Sequence, residues 1–542
     1  MSQSAAPTSN GPAEKKAAAP ETATDHSDWK PKSNPWLIAV VVTLAAFMEI
    51  LDTTIVNVAL PHIAGTLSVS SDEATWTLTS YLVANGIVLT ISGWLADLLG
   101  RKRYFLICLG MFTVCSFLCG IADSLGQLII FRLLQGFFGG GLQPNQQSII
   151  LDSFPPAKRG AAFGVAAIAT VVAPILGPTL GGFITDNASW RWIFFINVPV
   201  GIFAVFLNSI LVEDPPWEKN KRARGMDFIG LSLITIGLGS LQVMMDRGED
   251  DDWFGSPFIV VTGLVAFLGI LGAVLWLLVA RRPIVHLEVF KDKNFTGGCL
   301  MIGAMGAILY GSAVIIPQLA QEILGYTATW SGLILSPGGV VVIMLIPIVG
   351  RLMTVLQTRL IVAIGFFVMG CALVYSSGLA PDIDFKTLVM MRSFQSGALA
   401  FLFVPISTLT YLTLPLELRG DGAALFSMFR NVFGSIGVSM STALVVQRSQ
   451  ARQSYLSQWF SPFHQPYNAL LARYEQTLVA TGHAAGAHAI AVGQVYRQFI
   501  TQVAILAYSD VFFLLGLVAF AVVPFCFLLT GKTGGGAPGA AH

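Results

Sequence analysis

Apolar stretches long enough to cross a membrane recur along this chain, and they constrain its fold more than any other feature. A bilayer core of about 30 Å is crossed by about 20 residues of α-helix rising 1.5 Å each. Backbone N–H and C=O groups that face lipid must be satisfied inside the same helix, so runs of this length predict membrane helices. Fourteen pass the test, near Trp36–Leu60, Trp76–Ala96, Tyr104–Ala122, Leu128–Leu151, Ala162–Thr185, Trp192–Val212, Phe228–Met245, Phe258–Ala280, Thr296–Leu319, Leu333–Val349, Leu360–Leu379, Leu388–Leu412, Ala423–Val446 and Val511–Leu529.

Composition agrees with one large membrane domain. Of 542 residues, 54% are apolar and 11% charged, against about 25% charged in soluble domains, too few to coat several water-soluble cores. Cys108, Cys115, Cys119, Cys299, Cys371 and Cys526 all fall in apolar runs without a Cys-x-x-Cys pair, so they read as small hydrophobes rather than redox or metal ligands. His62, His286, His464, His483 and His488 lie outside the runs and show no ligand pattern. The first run is too long for a signal-peptide core and lacks a small-residue cleavage pattern, which makes it a membrane helix behind a disordered tail, residues 1–35.

An even number of spans puts both termini on one side. Of the 31 lysines and arginines, 21 fall in the tails and loops of that side, 7 on the other and 3, Arg132, Arg392 and Arg430, within spans. The positive-inside rule therefore places both termini in the cytoplasm. The long external segment, Gln447 to about Gln498, has helix-like stretches around Tyr467–Val479 and Ala487–Ile500 and is either a docking surface or a structured cap.

Shifting the chain by 260 residues superposes Arg132 on Arg392, Gln135 on Gln395, Pro155 on Pro415, Arg159 on Arg419 and Gly160 on Gly420, all in the same membrane orientation. The expected organisation is thus a parallel repeat. A six-helix half spans 36–213, a linker with two extra membrane helices 214–294, and a second six-helix half 295–530 including the external loop 447–498, followed by a Gly-rich cytoplasmic tail, 531–542.

A charge inside a membrane span costs at least about 2.5–3.5 kcal/mol on insertion scales, so each one points to function. Glu49 and Asp52 lie three residues apart on one face of the first span, followed there by Thr53 and Val56. Asp52 and Arg132 sit at comparable depths below the outer surface, which makes an ion pair geometrically feasible. Such a pair, opening and closing with conformation, would load and release a proton. The bland alternative is a structural pin. Gln135 accompanies Arg132, and among the uncharged polar residues Asn57, Asn85, Asn145, Gln318, Gln395 and Asn431 are candidates to line a cavity, although single ones more often tie helices together. Gln143, Gln147 and Asn197 belong to the same group.

Two further motifs combine glycines with polar or cyclic residues. The loop after the second span reads Gly93-x-x-x-Asp97-x-x-Gly100-Arg101-Lys102, where glycines permit close approach and a tight turn and Asp97 can bond basic groups, a set suited to latching two halves. The fifth span carries Pro174, Gly177, Pro178, Gly181 and Gly182; prolines remove backbone hydrogen bonds and glycines flatten a face, which suits a gating hinge.

At these residues the chain resembles the major facilitator superfamily, and within it the fourteen-span EmrB/QacA-type drug:proton antiporters. The resemblance covers nearly everything after the tail. Leu51 to Pro61 is similar to that group's first-helix motif, Gly93 to Lys102 to the cytoplasmic gate motif, Arg132-x-x-Gln135-Gly136 to the fourth-helix motif linked to proton coupling, and Gly177-Pro178-x-x-Gly181-Gly182 to the antiporter motif of exporters. Trp190 to Pro199 and Met245-Asp246-Arg247-Gly248 resemble the EmrB branch. The resemblance implies an all-α integral membrane protein of the major facilitator fold, two six-helix halves plus two inserted helices. It further implies proton-driven export of small amphipathic compounds without a bound cofactor, an inner-membrane location, and partnership with a periplasmic adaptor and an outer-membrane channel; no nucleic-acid partner is expected. Two departures stand out. Thr354 occupies the place of Asp97 in the second-half counterpart Gly350 to Thr354, and Glu49 adds a carboxylate beside Asp52.

Transport of a specific metabolite, such as a siderophore, organic acid or amino-acid derivative, would use the same architecture in either direction. ATP-driven pumping is disfavoured, because Gly531-Lys532-Thr533 has Cys526 where a P-loop needs its first glycine and no strand precedes it. The retained intramembrane charges argue against a transport-dead sensor.

Overall fold

The computed structural model describes residues 31–214, 227–249, 251–281, 283–415, 418–461, 463–481 and 486–529. The tails at 1–30 and 530–542, and with them Lys532, lie outside these, as do the linker residues 215–226 and His483. Among the described residues the secondary structure is helical throughout, and 14 helices are long and apolar enough to cross a membrane.

The first half comprises α1 (Pro35–Leu67), α2 (Ser71–Leu99), α3 (Arg101–Gly120), α4 (Leu125–Gly139), α5 (Leu142–Ser153), α6 (Pro156–Ala167), α7 (Ala173–Asn187), α8 (Trp192–Phe195) and α9 (Asn197–Leu211). The inserted pair is α10 (Phe228–Arg247) and α11 (Pro257–Val279). The second half holds α12 (Lys293–Gln318), α13 (Ala328–Val355), α14 (Thr358–Ser376), α15 (Phe385–Thr410), α16 (Arg419–Ser457), α17 (Gln465–Ala480) and α18 (Ala487–Val522). Local chemistry sets the ends. Asn34 caps α1 ahead of Pro35, and Ser70 and Glu73 cap α2 reciprocally, satisfying donors that a helix start leaves unpaired.

The halves meet along two seams. α2 packs on α16, and α7 packs on α13, while α10 lies against both α2 and α16, so the inserted pair flanks the first seam. α11 turns Phe267, Leu275, Leu278 and Val279 outward, the pattern of a helix whose solvent is lipid. We refer to the end where α1 begins, which collects Arg101, Lys102, Arg351 and Arg359, as the basic end.

Three apolar runs differ from their sequence reading. The fourth breaks at Gly140 and Gly141 into α4 and α5. The fifth contains a π turn, Ile168–Val172, just before Pro174, whose missing N–H spoils the regular α ladder there. The segment 447–498, an external loop with two helix-like stretches in sequence, is mostly helix: α16 runs on to Ser457, α17 covers Gln465–Ala480 around the first stretch, and α18 continues unbroken from Ala487, the start of the second, into the last span. Hydropathy marks where lipid ends, not where hydrogen bonding does, so it ends α16 early and separates the 487–500 stretch from the last span.

Candidate functional site

Two carboxylates on α1 organise the interior. Asp52 is fully buried, and Arg132 of α4 donates from Nη1 to its Oδ2 at 2.5 Å, both side chains 0% exposed. Gln135, one turn along α4, donates from Nε2 to Asp52 Oδ1 at 3.0 Å and accepts from Arg132 Nη1 at 3.0 Å. Asn197 at the start of α9 gives Asp52 Oδ1 a further bond at 2.7 Å and is itself 3.0 Å from Ser116 Oγ. Arg132 also donates from Nε to Thr77 O at 3.2 Å and lies 4.2 Å over the Tyr81 ring. A buried ion pair of this kind is weak evidence for net stability, but removing one partner costs about 3–5 kcal/mol because the other charge stays buried.

Glu49 sits one turn earlier with its own donors. Its Oε1 accepts from Asn85 Nδ2 at 2.9 Å and Tyr81 OH at 3.3 Å, and its Oε2 accepts from Gln143 at the start of α5. Arg430 of α16, in the other half, lies within electrostatic range of Glu49. Arg430 donates from Nη1 to Thr170 Oγ1 at 3.3 Å, a residue of the π turn, and from Nε and Nη2 to Asn431 Oδ1 at 3.3 Å. The π turn thus presents a hydroxyl to a cation across the interface between the halves.

At the basic end the halves are sealed. Asp152 at the end of α5 pairs with Arg101 and lies 3.7 Å from Arg419 Nη1 of the second half. Gly93 faces α16: a Cβ there would come within 2.7 Å of Asp421 Oδ1 and 3.0 Å of the Gly420 carbonyl carbon. Gly100 joins α2 to α3 at φ 84°, which favours glycine. The Lys102 N–H donates to Asp214 Oδ1 at 2.8 Å, Asp97 is half-buried, and Asp421 Oδ2 lies 2.6 Å from His286 Nδ1. Deeper in, Gln147 donates to Ser427 Oγ at 3.2 Å and accepts from Tyr411 OH at 2.6 Å, both across the halves.

The proline and glycine residues of α7 let it wedge between α1 and α13. A Cβ on Gly177 would come within 2.7 Å of Thr54 Cβ, one on Gly181 2.9 Å from Ile55 O, and one on Gly182 2.8 Å from the Ala328 carbonyl carbon. Thr179, between them, donates to Gly332 O at 2.6 Å. Pro178 lies inside α7 and Pro174 in its first turn.

The polar residues proposed as cavity lining scatter. Asn85 joins the Glu49 cluster and Asn431 the Arg430 cluster, while Gln395 binds Arg392. Asn145 donates to Gly141 O at 2.6 Å within its own span. Asn57 is exposed on α1, and Gln318 is half-buried where α12 gives way to a second π turn, Leu319–Ile323. Asp152, Tyr81 and Arg430 take part in these clusters although the sequence alone assigns them no role. Arg430 carried a signal, being a charge inside a span; Asp152 at a span end and Tyr81 in an apolar run carried none.

The sequence matches a known family profile. That of the Major Facilitator Superfamily covers residues 42–438. The chain belongs to that superfamily. It is 38% identical over 515 residues to the multidrug export protein EmrB of Escherichia coli K12, covering 93% of this chain and 98% of that protein. It is 33% identical to the fatty acid resistance protein FarB of Neisseria gonorrhoeae, covering 92% and 96%. These relatives place it in the EmrB-like branch of the superfamily. The solved proton:xylose symporter XylE superposes with a TM-score of 0.58 over 92% of this chain and 97% of its own, at 13% identity, a likeness of fold alone. This superfamily member is therefore a multi-pass membrane transporter rather than an enzyme.

Proposed function

We propose that the protein is a proton-coupled exporter of small amphipathic compounds, working by alternating access of its two halves. The observation that carries the reading is the pair of buried carboxylates on α1, Asp52 held by Arg132, Gln135 and Asn197, and Glu49 held by Asn85, Tyr81 and Gln143 within electrostatic range of Arg430 of the other half. Either carboxylate, once protonated, loses most of its attraction for its guanidinium. For Asp52 this frees Arg132 to turn; for Glu49 it weakens a tie between the halves. Proton entry from the side opposite the basic end would then favour opening at the basic end, where cargo enters, and cargo would compete with or follow the proton.

The strong identity to EmrB, a multidrug export protein by name, supports outward transport of varied toxic compounds. On the same reading the chain resides in a bacterial inner membrane with both termini cytoplasmic, as its basic end suggests. The helical crown formed by the end of α16, α17 and the start of α18 projects toward the periplasm and is the surface offered to an adaptor leading to an outer-membrane channel.

The test is transport in proteoliposomes under an imposed pH gradient. Asp52→Asn should abolish gradient-driven substrate movement while leaving substrate binding in detergent within a few fold. Full proton-driven transport by this variant would remove Asp52 from the coupling role.

A further inference from the structure

The 260-residue repeat extends beyond the five matched pairs, and one further position breaks the correspondence. Arg392 of α15 repeats Arg132, Gln395 repeats Gln135, Ser376 repeats Ser116, and Ser312 of α12 stands where Asp52 stands in the first half. The polar scaffold is reproduced. Arg392 Nη1 donates to Gln395 Oε1 at 3.2 Å, as Arg132 does to Gln135, and Gln395 Nε2 donates to Ser376 Oγ at 2.8 Å. Where Arg132 meets a carboxylate, Arg392 Nη1 donates to Ser312 Oγ at 2.9 Å.

The second-half arginine is therefore a buried cation without a counter-charge. Arg392 is 0% exposed, and its Nε and Nη2 have no hydrogen-bond partner in the protein. Ser396, one turn along α15, is likewise 0% exposed with an unpartnered hydroxyl. Of the other two intramembrane arginines, Arg132 pairs with Asp52 and Arg430 lies within electrostatic range of Glu49. Among the described residues no carboxylate pairs with Arg392. A guanidinium does not shed its proton in proteins, so it cannot relieve its burial by becoming neutral. Serine accepts one hydrogen bond from the guanidinium but brings no negative charge to offset it.

We propose that Arg392, beside Ser312, forms an anion site in the second half that receives one monovalent anion of carboxylate or halide type. A single guanidinium with Nε and Nη2 unpartnered, and with no lysine or second arginine bonded to it, suits one negative charge rather than a phosphate ester. Arg392 lies seven residues into α15 from Phe385, about 10 Å from the end opposite the basic end, so this site fills from that side. The inference stands apart from the proton-coupled reading, since it concerns a group that titrates in neither state.

The test uses the full-length transporter in detergent, titrated separately with sodium chloride and sodium acetate at constant ionic strength, with the thermal unfolding midpoint as readout. A saturable rise with either salt is expected in the wild type, and the salt that produces it identifies the anion. Ser312→Asp restores a built-in carboxylate, so it should be folded and stable without added anion and lose the saturable response. Arg392→Gln should weaken the apparent affinity at least about tenfold. A wild type that responds to neither salt, or an undiminished response in Ser312→Asp, overturns the proposal; the second variant keeps the test decisive should Arg392→Gln fail to fold.

Discussion

Asp152 should control how often the basic end opens. Its carboxylate serves Arg101 of its own half and Arg419 of the other, and all three side chains are 10% exposed or less. Removing one member of a fully buried pair costs about 3–5 kcal/mol, but at the end of the bundle the released arginines can reach water as the halves separate, so about 2 kcal/mol is a fair loss for the closed state. At about 1.4 kcal/mol per tenfold, Asp152→Asn should raise the population open at this end by about 30-fold. Ser427, 0% exposed and bonded to Gln147 across the seal, offers a reporter when changed to cysteine. In a background with Cys371, the exposed native cysteine, replaced by serine, initial labelling by a charged maleimide should accelerate by about that factor. Asp152→Glu should restore much of the protection. Labelling within about twofold of the parent in a folded Asp152→Asn protein would refute the idea that this carboxylate holds the halves together.

Other expectations follow from packing. Gly177→Val places branched carbons against Thr54 and should destabilise the protein by about 1–3 kcal/mol, read as a lower unfolding midpoint, with Gly177→Ala intermediate; a Gly177→Val variant as stable as wild type would mean that the α1–α7 contact is not tight. α10 bridges the halves, Asp246 accepting from Thr79 of α2 while Gln242 donates to Ser435 of α16 at 3.0 Å. Loss of a hydrogen bond to a charged group removes about 1.5–3 kcal/mol, so Asp246→Ala should speed amide exchange over the last turns of α10 and the first of α2, and unchanged exchange there would rule out a bridging role.

Much of the architecture is a local property and could be read without coordinates. Span number depends on run length against bilayer thickness, and backbone hydrogen bonding in lipid leaves no alternative to helix. The repeat showed itself through Arg132 and Arg392, and the depths of Asp52 and Arg132 followed from helical rise along single runs. Tertiary structure alone decided which groups meet. Asn197 reaches Asp52 from 145 residues away, Ser427 meets Gln147 from 280, and Asp152 gathers arginines from both halves. None of these partners is distinguishable in sequence from other polar residues near span ends, because what selects them is the angle and rotation at which helices pack. The π turn that carries Thr170 toward Arg430, and Ser312 in the place of a carboxylate, have the same origin: their meaning lies in what stands opposite, and only the assembled helices put it there.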